Sequence, residues 1–285
     1  MSRVWHISGA NTGLGLELAL KALSQGDRVI AAVRSPAKVP HELKRDDVKV
    51  FQFNLSQGQP EMDAYAKNAF EAFGKIDVLV NNAGYAYLGA IEEAGDEETK
   101  AQFDVNVFAM LRIIRAMLPL LRAQGSGLIM NLSSLGGLRS YPSNGIYCAT
   151  KFAIEGLTQA LAVEVEPFGI SAVSVEPGYF RTAFLKDPAA GTNLAPAIPA
   201  YEGTAAHEAR ANFAKYNGRQ PGDPKKAADR MWEYAAGEGL FAGKEKLLRL
   251  PLGTDTGAVM KELSEDLAKT AAYYEDVWSS TDFEE

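Results

Sequence analysis

A single cysteine, Cys148, among 285 residues has nothing to pair with inside the chain. No internal disulfide framework is possible, and nothing asks for an oxidising compartment. Histidine is scarce as well: His6, His41 and His207 lie far apart and share no spacing with a second soft ligand, which argues against a metal site. Basic charge is also short. The formal net charge is −7, and lysine and arginine are scattered rather than clustered, so the chain is not built to neutralise a phosphate backbone. No run of about 18 apolar residues occurs, and the opening MSRVWHISGA has no basic segment leading into a long apolar stretch. The expectation is a soluble, cytoplasmic protein with neither nucleic acid nor membrane as a partner. Internal repeats and low-complexity tracts are missing too.

What the chain does have is apolar residues, 47% of the total, enough for a full core in one large α/β domain. Short β-branched runs alternate with helical patterns up to about residue 176, the sequence form of a parallel sheet covered by helices. Strands are expected at 4–8, 28–33, 48–53, 78–81, 128–132 and 170–175, with a seventh at 246–250. Helical spacing runs through 13–24, 62–73, 99–122 and 146–166. Right-handed crossovers then gather the C-terminal strand ends on one edge, where open α/β sheets bind ligands. Residues 183–224 are rich in Pro, Gly, Ala and Asn, carry little periodicity, and follow the sixth strand; they read as a substrate lid. A last amphipathic helix is expected at 256–278, within a C-terminal helix and tail spanning 256–285.

The first strand runs into Ser8-Gly9-Ala10-Asn11-Thr12-Gly13-Leu14-Gly15, and a helical pattern starts at once. Glycines there let bare backbone N–H groups approach a pyrophosphate while the helix presents its positive end, so a nucleotide site is expected. The glycine spacing differs from G-x-G-x-x-G, and the Lys-Ser/Thr ending of a P-loop is absent. After the second strand, Arg34-Ser35 places a cation where NAD enzymes usually carry an acid for the ribose 2′-hydroxyl, favouring a 2′-phosphate and hence NADP(H) over NAD(H).

The fifth strand ends at Ser133-Ser134, and 13 residues after Ser134 Tyr147-Cys148-Ala149-Thr150-Lys151 opens a long helix. Tyr147 and Lys151 are four apart and share one face, both able to meet the strand end that carries Ser134. A tyrosine beside an ammonium and an oxidised nicotinamide is expected to have a depressed pKa and to exchange a proton with a developing alkoxide. Ser134 would hold the substrate oxygen. A serine nucleophile is disfavoured, since no G-x-S-x-G elbow occurs.

With these residues assembled, the chain resembles the short-chain dehydrogenase/reductase family over nearly its whole length. The matches run in order: Gly9 to Gly15, Asn81-Asn82-Ala83-Gly84, Asn106, Ser134, Tyr147 to Lys151, and Pro177-Gly178 with Thr182. The segment Val175 to Thr182 and Cys148 resemble the subgroup of 17-beta-hydroxysteroid dehydrogenases. The resemblance implies a single Rossmann-type doubly wound parallel sheet of about seven strands, with helices on both faces. It implies that Asn106 completes a catalytic tetrad with Ser134, Tyr147 and Lys151 by holding a water on the proton path. It also implies that Lys151 binds the nicotinamide ribose, that Asn82, Ala83 and Gly84 line the cofactor, and that Thr182 contacts its carboxamide. Asn54-Leu55 stands where the family commonly has an Asp beside the adenine; an amide still accepts from the adenine amino group. Leu135, Tyr141, Tyr179 and Phe184, with Tyr85, Tyr87 and Leu185, are candidates for an apolar mouth that takes a small hydrophobic carbonyl or alcohol. Family members often pair through the helices at 99–122 and 146–166, so a homo-oligomer, dimer or tetramer, is expected. Two alternatives stay open: a non-catalytic NADP(H)-sensing protein, and an isomerase or dehydratase without net redox change.

Overall fold

The structure, a computed structural model, describes residues 2–185 and 192–283. Its elements in chain order are β1 (Val4–Ser8), α1 (Gly13–Ser24), β2 (Arg28–Val33), β3 (Val48–Gln52), α2 (Gln59–Glu71), β4 (Val78–Asn81), β5 (Ala86–Leu88), α3 (Asp96–Phe103), α4 (Ala109–Gln124), β6 (Gly127–Leu132) and α5 (Gly145–Val165). They continue with β7 (Ile170–Pro177), β8 (Thr192–Leu194), α6 (Ala205–Tyr216), α7 (Pro224–Ala236), β9 (Arg249–Leu252), α8 (Thr254–Tyr273) and α9 (Glu275–Ser279). Seven strands form one parallel sheet in the order β3-β2-β1-β4-β6-β7-β9. The chain builds outward from β1 to β3, then returns to β4 beside β1. Connections therefore leave β1 and β4 toward opposite faces, and a crevice opens between their C-terminal ends.

Strand alternation sorts the core into two halves. On β1, Trp5 and Ile7 enter the cluster under α1 and α7 with Leu18, Met231 and Trp232. Val4, their neighbour in sequence, joins Met62, Ile113, Met117 and Ile129 on the other face. Both faces are covered, which is why the strands read as nearly continuous apolar runs. Asp27, in the turn before β2, ties one half together: its Oδ2 accepts from Trp5 Nε1 and Trp232 Nε1, each at 2.9 Å, and its Oδ1 accepts from Arg3 N at 2.8 Å.

Three expectations need correction. The helix read as 99–122 is α3, a π-helical turn at Asp104–Phe108, and α4; the wider turn accommodates Asn106, whose buried amide bonds away from its own helix. The seventh strand is β9, three residues later than 246, because that shift sends Leu250 and Leu252 inward while Leu247 stays exposed. The C-terminal helix divides at Tyr274 into α8 and α9. The stretch 183–224 is more ordered than its composition suggests. Within its described part, β8 pairs in parallel with β5 and Thr204 N-caps an alanine-rich α6, while residues 186–191 lie outside the described residues. Among the described residues no helix is long and apolar enough to cross a membrane.

His6 is fully buried on β1, with Nε2 2.7 Å from the Tyr65 hydroxyl of α2. Burial lowers its pKa from 6.5 to about 4. The unfolded chain takes up this proton first, so the neutral imidazole contributes full stability above pH about 6.5 and loses it as the pH falls toward about 4. The loss amounts to about 3 kcal/mol. Denaturant unfolding of wild type and His6→Gln across this range should show the wild-type advantage shrinking by that order; a pH-independent difference would contradict it.

Candidate active site

The crevice at the β1/β4 switch point opens into a cleft of about 690 Å³, within the size range of small-molecule and cofactor sites. Its floor is the turn after β1. A Cβ on Gly15 would come 2.6 Å from Gly9 O and 2.6 Å from Asn82 Nδ2, so this helix start fits against the β4 loop only as glycine. Gly13 has φ +56° and faces the Thr182 side chain. Thr12, the N-cap of α1, makes no side-chain cap bond, and Asn11, Thr12, Gly13 and Leu14 all line the cleft. Ser8 Oγ accepts from Asn82 N and Ala83 N at 3.0 Å each, and Asn82 Nδ2 donates to Ser8 O at 2.8 Å. These bonds lock the β4 loop, with Gly84, onto the end of β1.

At one end the cleft is lined by Arg34, Ser35, Asn54 and Leu55, as the sequence suggested, and by Lys38, which it did not single out. Arg34 is exposed. Asn54 Oδ1 accepts from Ser56 N at 3.1 Å, which fixes the turn after β3. Lys38 ends a Pro-initiated 3₁₀ turn, Pro36–Lys38; the Ser35-Pro36 pair was the available signal that the chain turns back on itself there.

At the other end stand Ser134, Tyr147 and Lys151. Ser134 caps the turn Leu135–Gly137 through Oγ, which accepts from Gly136 N at 3.0 Å, and Ser134 Oγ and the Tyr147 ring both lie 3.5 Å from the Cβ position of Gly136. Lys151, one turn further along α5, is 6% exposed and donates from Nζ to Leu132 O at 2.7 Å. The same Nζ lies 5.5 Å from the Tyr147 ring centroid. Burial lowers the Lys151 pKa to about 8, against the opposing charge of Glu155. Burial also raises the Tyr147 phenol above its ordinary value, with the Ser134 side chain pulling the other way. The depressed tyrosine read from the sequence is thus not a property of these side chains alone: removal from water outweighs the pull of Ser134.

Asn106 sits in the π turn, 3% exposed. Its Nδ2 donates to Tyr85 O at 2.9 Å and Thr150 Oγ1 at 3.0 Å, and its Oδ1 accepts from Tyr85 N at 3.0 Å. Thr150 Oγ1 in turn donates to Tyr147 O at 2.7 Å. The amide is therefore occupied as a clamp between the β4 loop and α5, a few ångströms from Gly84, whose Cβ position is 3.0 Å from Asn106 Oδ1 and 4.0 Å from Lys151 Nζ.

Leu135, Tyr141, Tyr179 and Phe184 all line the same cleft beside Pro177, Gly178 and Thr182. Phe184 sits 6.2 Å, centroid to centroid, from Tyr147, and Tyr179 lies 5.1 Å from Tyr216 and 6.5 Å from Phe213 of α6. Tyr85 and Leu185 belong to the lining as well. Sequence reading missed Leu88, Phe213 and Asn144. Asn144 is the N-cap of α5 without a side-chain cap bond, and its Oδ1 is buried without a partner. The loop 195–223 is fastened over this end: Glu93 accepts from Ile198 N at 2.9 Å, and Ser143 Oγ donates to Ala206 O at 2.6 Å. Among the described residues no group of three His, Cys, Asp or Glu side chains is placed to hold a metal ion.

Comparison with known proteins agrees with this layout. The short chain dehydrogenase family model matches residues 3–192. The oxidoreductase BOA17 of Botryotinia fuckeliana (strain B05.10) is 34% identical over 259 residues, 90% of each chain. Human 17-beta-hydroxysteroid dehydrogenase type 1 is 34% identical over 189 residues, 63% of this chain and 57% of that protein. A short-chain dehydrogenase structure from Streptomyces avermitilis superposes with a TM-score of 0.88 at 33% identity, covering 99% of this chain and 100% of that one. The glycine turn, the sheet order and the Ser-Tyr-Lys grouping therefore have one common reading: the chain belongs to the short-chain dehydrogenase family of NAD(P)-dependent oxidoreductases.

Proposed function

We propose that this protein is an NADP(H)-dependent oxidoreductase that interconverts a hydrophobic carbonyl compound and its secondary alcohol, with Tyr147 as proton donor and acceptor. The observation that carries the reading is the grouping of Ser134, Tyr147 and the Lys151 ammonium, 5.5 Å from the tyrosine ring, in the same cleft as the glycine turn. The cleft fits a dinucleotide: Gly9 and Asn11 to Leu14 line its floor, and the uncapped start of α1 offers N–H donors to a pyrophosphate. Bound NADP(H) supplies or accepts the hydride. Arg34, Ser35 and Lys38 would hold the 2′-phosphate and Asn54 and Leu55 the adenine. Asn82, Ala83, Gly84, Pro177, Gly178 and Thr182 would line the nicotinamide half, with Lys151 on the ribose.

In the reducing direction Ser134 holds the carbonyl oxygen and the Tyr147 hydroxyl gives it a proton, leaving a phenolate that Lys151 stabilises. In the oxidising direction the phenolate takes the alcohol proton, and the positive charge of an oxidised nicotinamide would lower the Tyr147 pKa that burial raises. Asn106 and Thr150 keep α5 at the right distance from the β4 loop. Residues 183–224, as far as they are described, serve as a lid, and the aromatic lining by Tyr141, Tyr179, Phe184 and Phe213 suits an apolar substrate.

Tyr147→Phe should lower kcat about 10²- to 10⁴-fold on a panel of ketones, aldehydes and quinones. NADPH affinity, measured by fluorescence, should stay within about twofold, since the hydroxyl carries one hydrogen bond of modest net worth. Tight NADPH binding with no turnover by the wild type would turn the reading toward a nucleotide sensor; product without net change in nicotinamide absorbance would turn it toward an isomerase. Arg34→Ala should weaken NADPH by about 1.5–3 kcal/mol and leave NADH nearly unchanged. Equal losses for both would reject the 2′-phosphate role.

We also infer a homo-oligomer formed through α4 and α5. Phe152 and Val163 stand 47% and 73% exposed on α5, and Phe108 and Phe168 flank these helices at 48% and 46%. Sedimentation should give a multiple of the monomer mass for wild type, and Phe152→Glu/Val163→Glu should sediment as a monomer. A monomeric wild type would overturn this inference.

A further inference from the structure

Two carboxyl groups lie beneath the cleft without a part in the reaction above. Glu155 is one turn beyond Lys151 on α5 and 4% exposed; Glu176, on β7 directly before Pro177 and Gly178, is 0% exposed. A single nitrogen serves both: Arg249 Nη1 of β9 is 2.6 Å from Glu155 Oε2 and 2.6 Å from Glu176 Oε1. Ser174 Oγ donates to Glu155 Oε1 at 2.6 Å. Glu176 Oε2 is buried with no N–H or O–H donor in reach, so the two carboxyl groups meet on one guanidinium nitrogen.

Ionised carboxylates only accept, so an ionised Glu176 leaves Oε2 buried with no donor, a cost that a proton on the pair removes. Charge leads to the same conclusion. The charged side chains facing the pair are Arg249 from β9 and, on the far side of Glu155, Lys151, whose ammonium is turned to Leu132 O. With both carboxyls ionised, two buried negative charges share the single positive charge of Arg249, and one net negative charge stays buried. We propose that Glu155 and Glu176 share one proton and act with Arg249 as a positioning unit that holds α5 and the end of β7 in register under the cleft. The pair reaches three elements of the site. A Cβ on Gly137 would meet Glu155 Cγ at 3.1 Å, so the glutamate stem supports the Ser134 turn. Its backbone continues the helix of Tyr147 and Lys151, and Glu176 sets the approach to Pro177 and Gly178. Deprotonation puts two like charges between α5 and β7 and works against that register.

The Glu176 pKa is raised to about 7, by burial first and by Glu155 next, with Arg249 opposing. A carboxyl raised on folding stabilises fully below its unfolded pKa, near 4.5, and loses that contribution as the pH rises through about 7. Glu176→Gln keeps a donor toward Glu155 and has no proton to lose. Between about pH 5 and about pH 8.5, the wild-type unfolding equilibrium should shift about 10- to 100-fold further toward the unfolded state than that of the variant. NADPH affinity should weaken over the same range in wild type and not in Glu176→Gln; that arm rests on the nucleotide reading, whereas the unfolding arm does not. Should the variant fail to fold, infrared spectroscopy of wild type decides. A protonated-carboxyl C=O band that persists at about pH 6, where ordinary carboxyls are ionised, and disappears by about pH 8.5 supports the shared proton. Absence of that band at about pH 6, or equal pH dependence of unfolding in wild type and Glu176→Gln, overturns it.

Discussion

The candidate site depends on one constraint: the first two turns of α5 must be held against the ends of β6 and β4 on the cleft wall, with Lys151 buried and Ser134 and Tyr147 half-buried. The Lys151 ammonium makes that possible by spending one hydrogen bond on Leu132 O, which fixes its position 5.5 Å from the Tyr147 ring. Ser134 meets the tyrosine from the β6 side, and Asn106 reaches α5 through Thr150 from the helix side. Each contact is short and local, yet the groups come from residues 85 to 151, and the parallel sheet brings them together. The low dielectric that strengthens these bonds also raises the cost of charging the phenol, and so the protein alone leaves Tyr147 a weak acid.

Much of this was legible in the sequence because it is local or periodic. The strands at 4–8, 28–33 and 78–81 are short β-branched apolar runs, the helix at 13–24 carries a helical repeat, and all four fold with the boundaries they suggest. Tyr147 and Lys151 are four residues apart on a helix, and the glycine turn announces itself between a strand and a helix. Other features lack any such signal. The π turn at Asp104–Phe108 keeps the helical apolar pattern on both sides, so nothing in the spacing separates α3 from α4. The β5–β8 pairing joins residues more than a hundred positions apart through strands of three residues each, too short for alternation to be visible. Arg249, Glu155 and Glu176 come from β9, α5 and β7, with sequence separations of 94 and 73 in their ion pairs, and each alone reads as an ordinary surface charge. Thr204 before an alanine run was a readable helix start, obscured by the glycines and prolines around it.

The two ends of the cleft follow different physics. At the Arg34 and Lys38 end the side chains sit at the surface, where charge is screened and acts on affinity and choice of nucleotide. At the Tyr147 end Lys151 is buried, Ser134 and Tyr147 are half-buried with the Phe184 ring beside the tyrosine, and small changes in charge are felt more strongly. The sheet edge joins both ends rigidly, so a nucleotide anchored at one is registered at the other.

The central claim, that Tyr147 carries the proton and that a cationic nicotinamide completes its activation, is tested most directly by the tyrosinate ultraviolet difference spectrum. It should be recorded during pH titration of the free protein and of its NADP⁺ complex, for wild type and Tyr147→Phe. The account predicts one tyrosine that ionises at markedly lower pH in the wild-type NADP⁺ complex than in the free protein, and that is missing from Tyr147→Phe. Identical titrations with and without NADP⁺, or the same low-pH step in Tyr147→Phe, would contradict it.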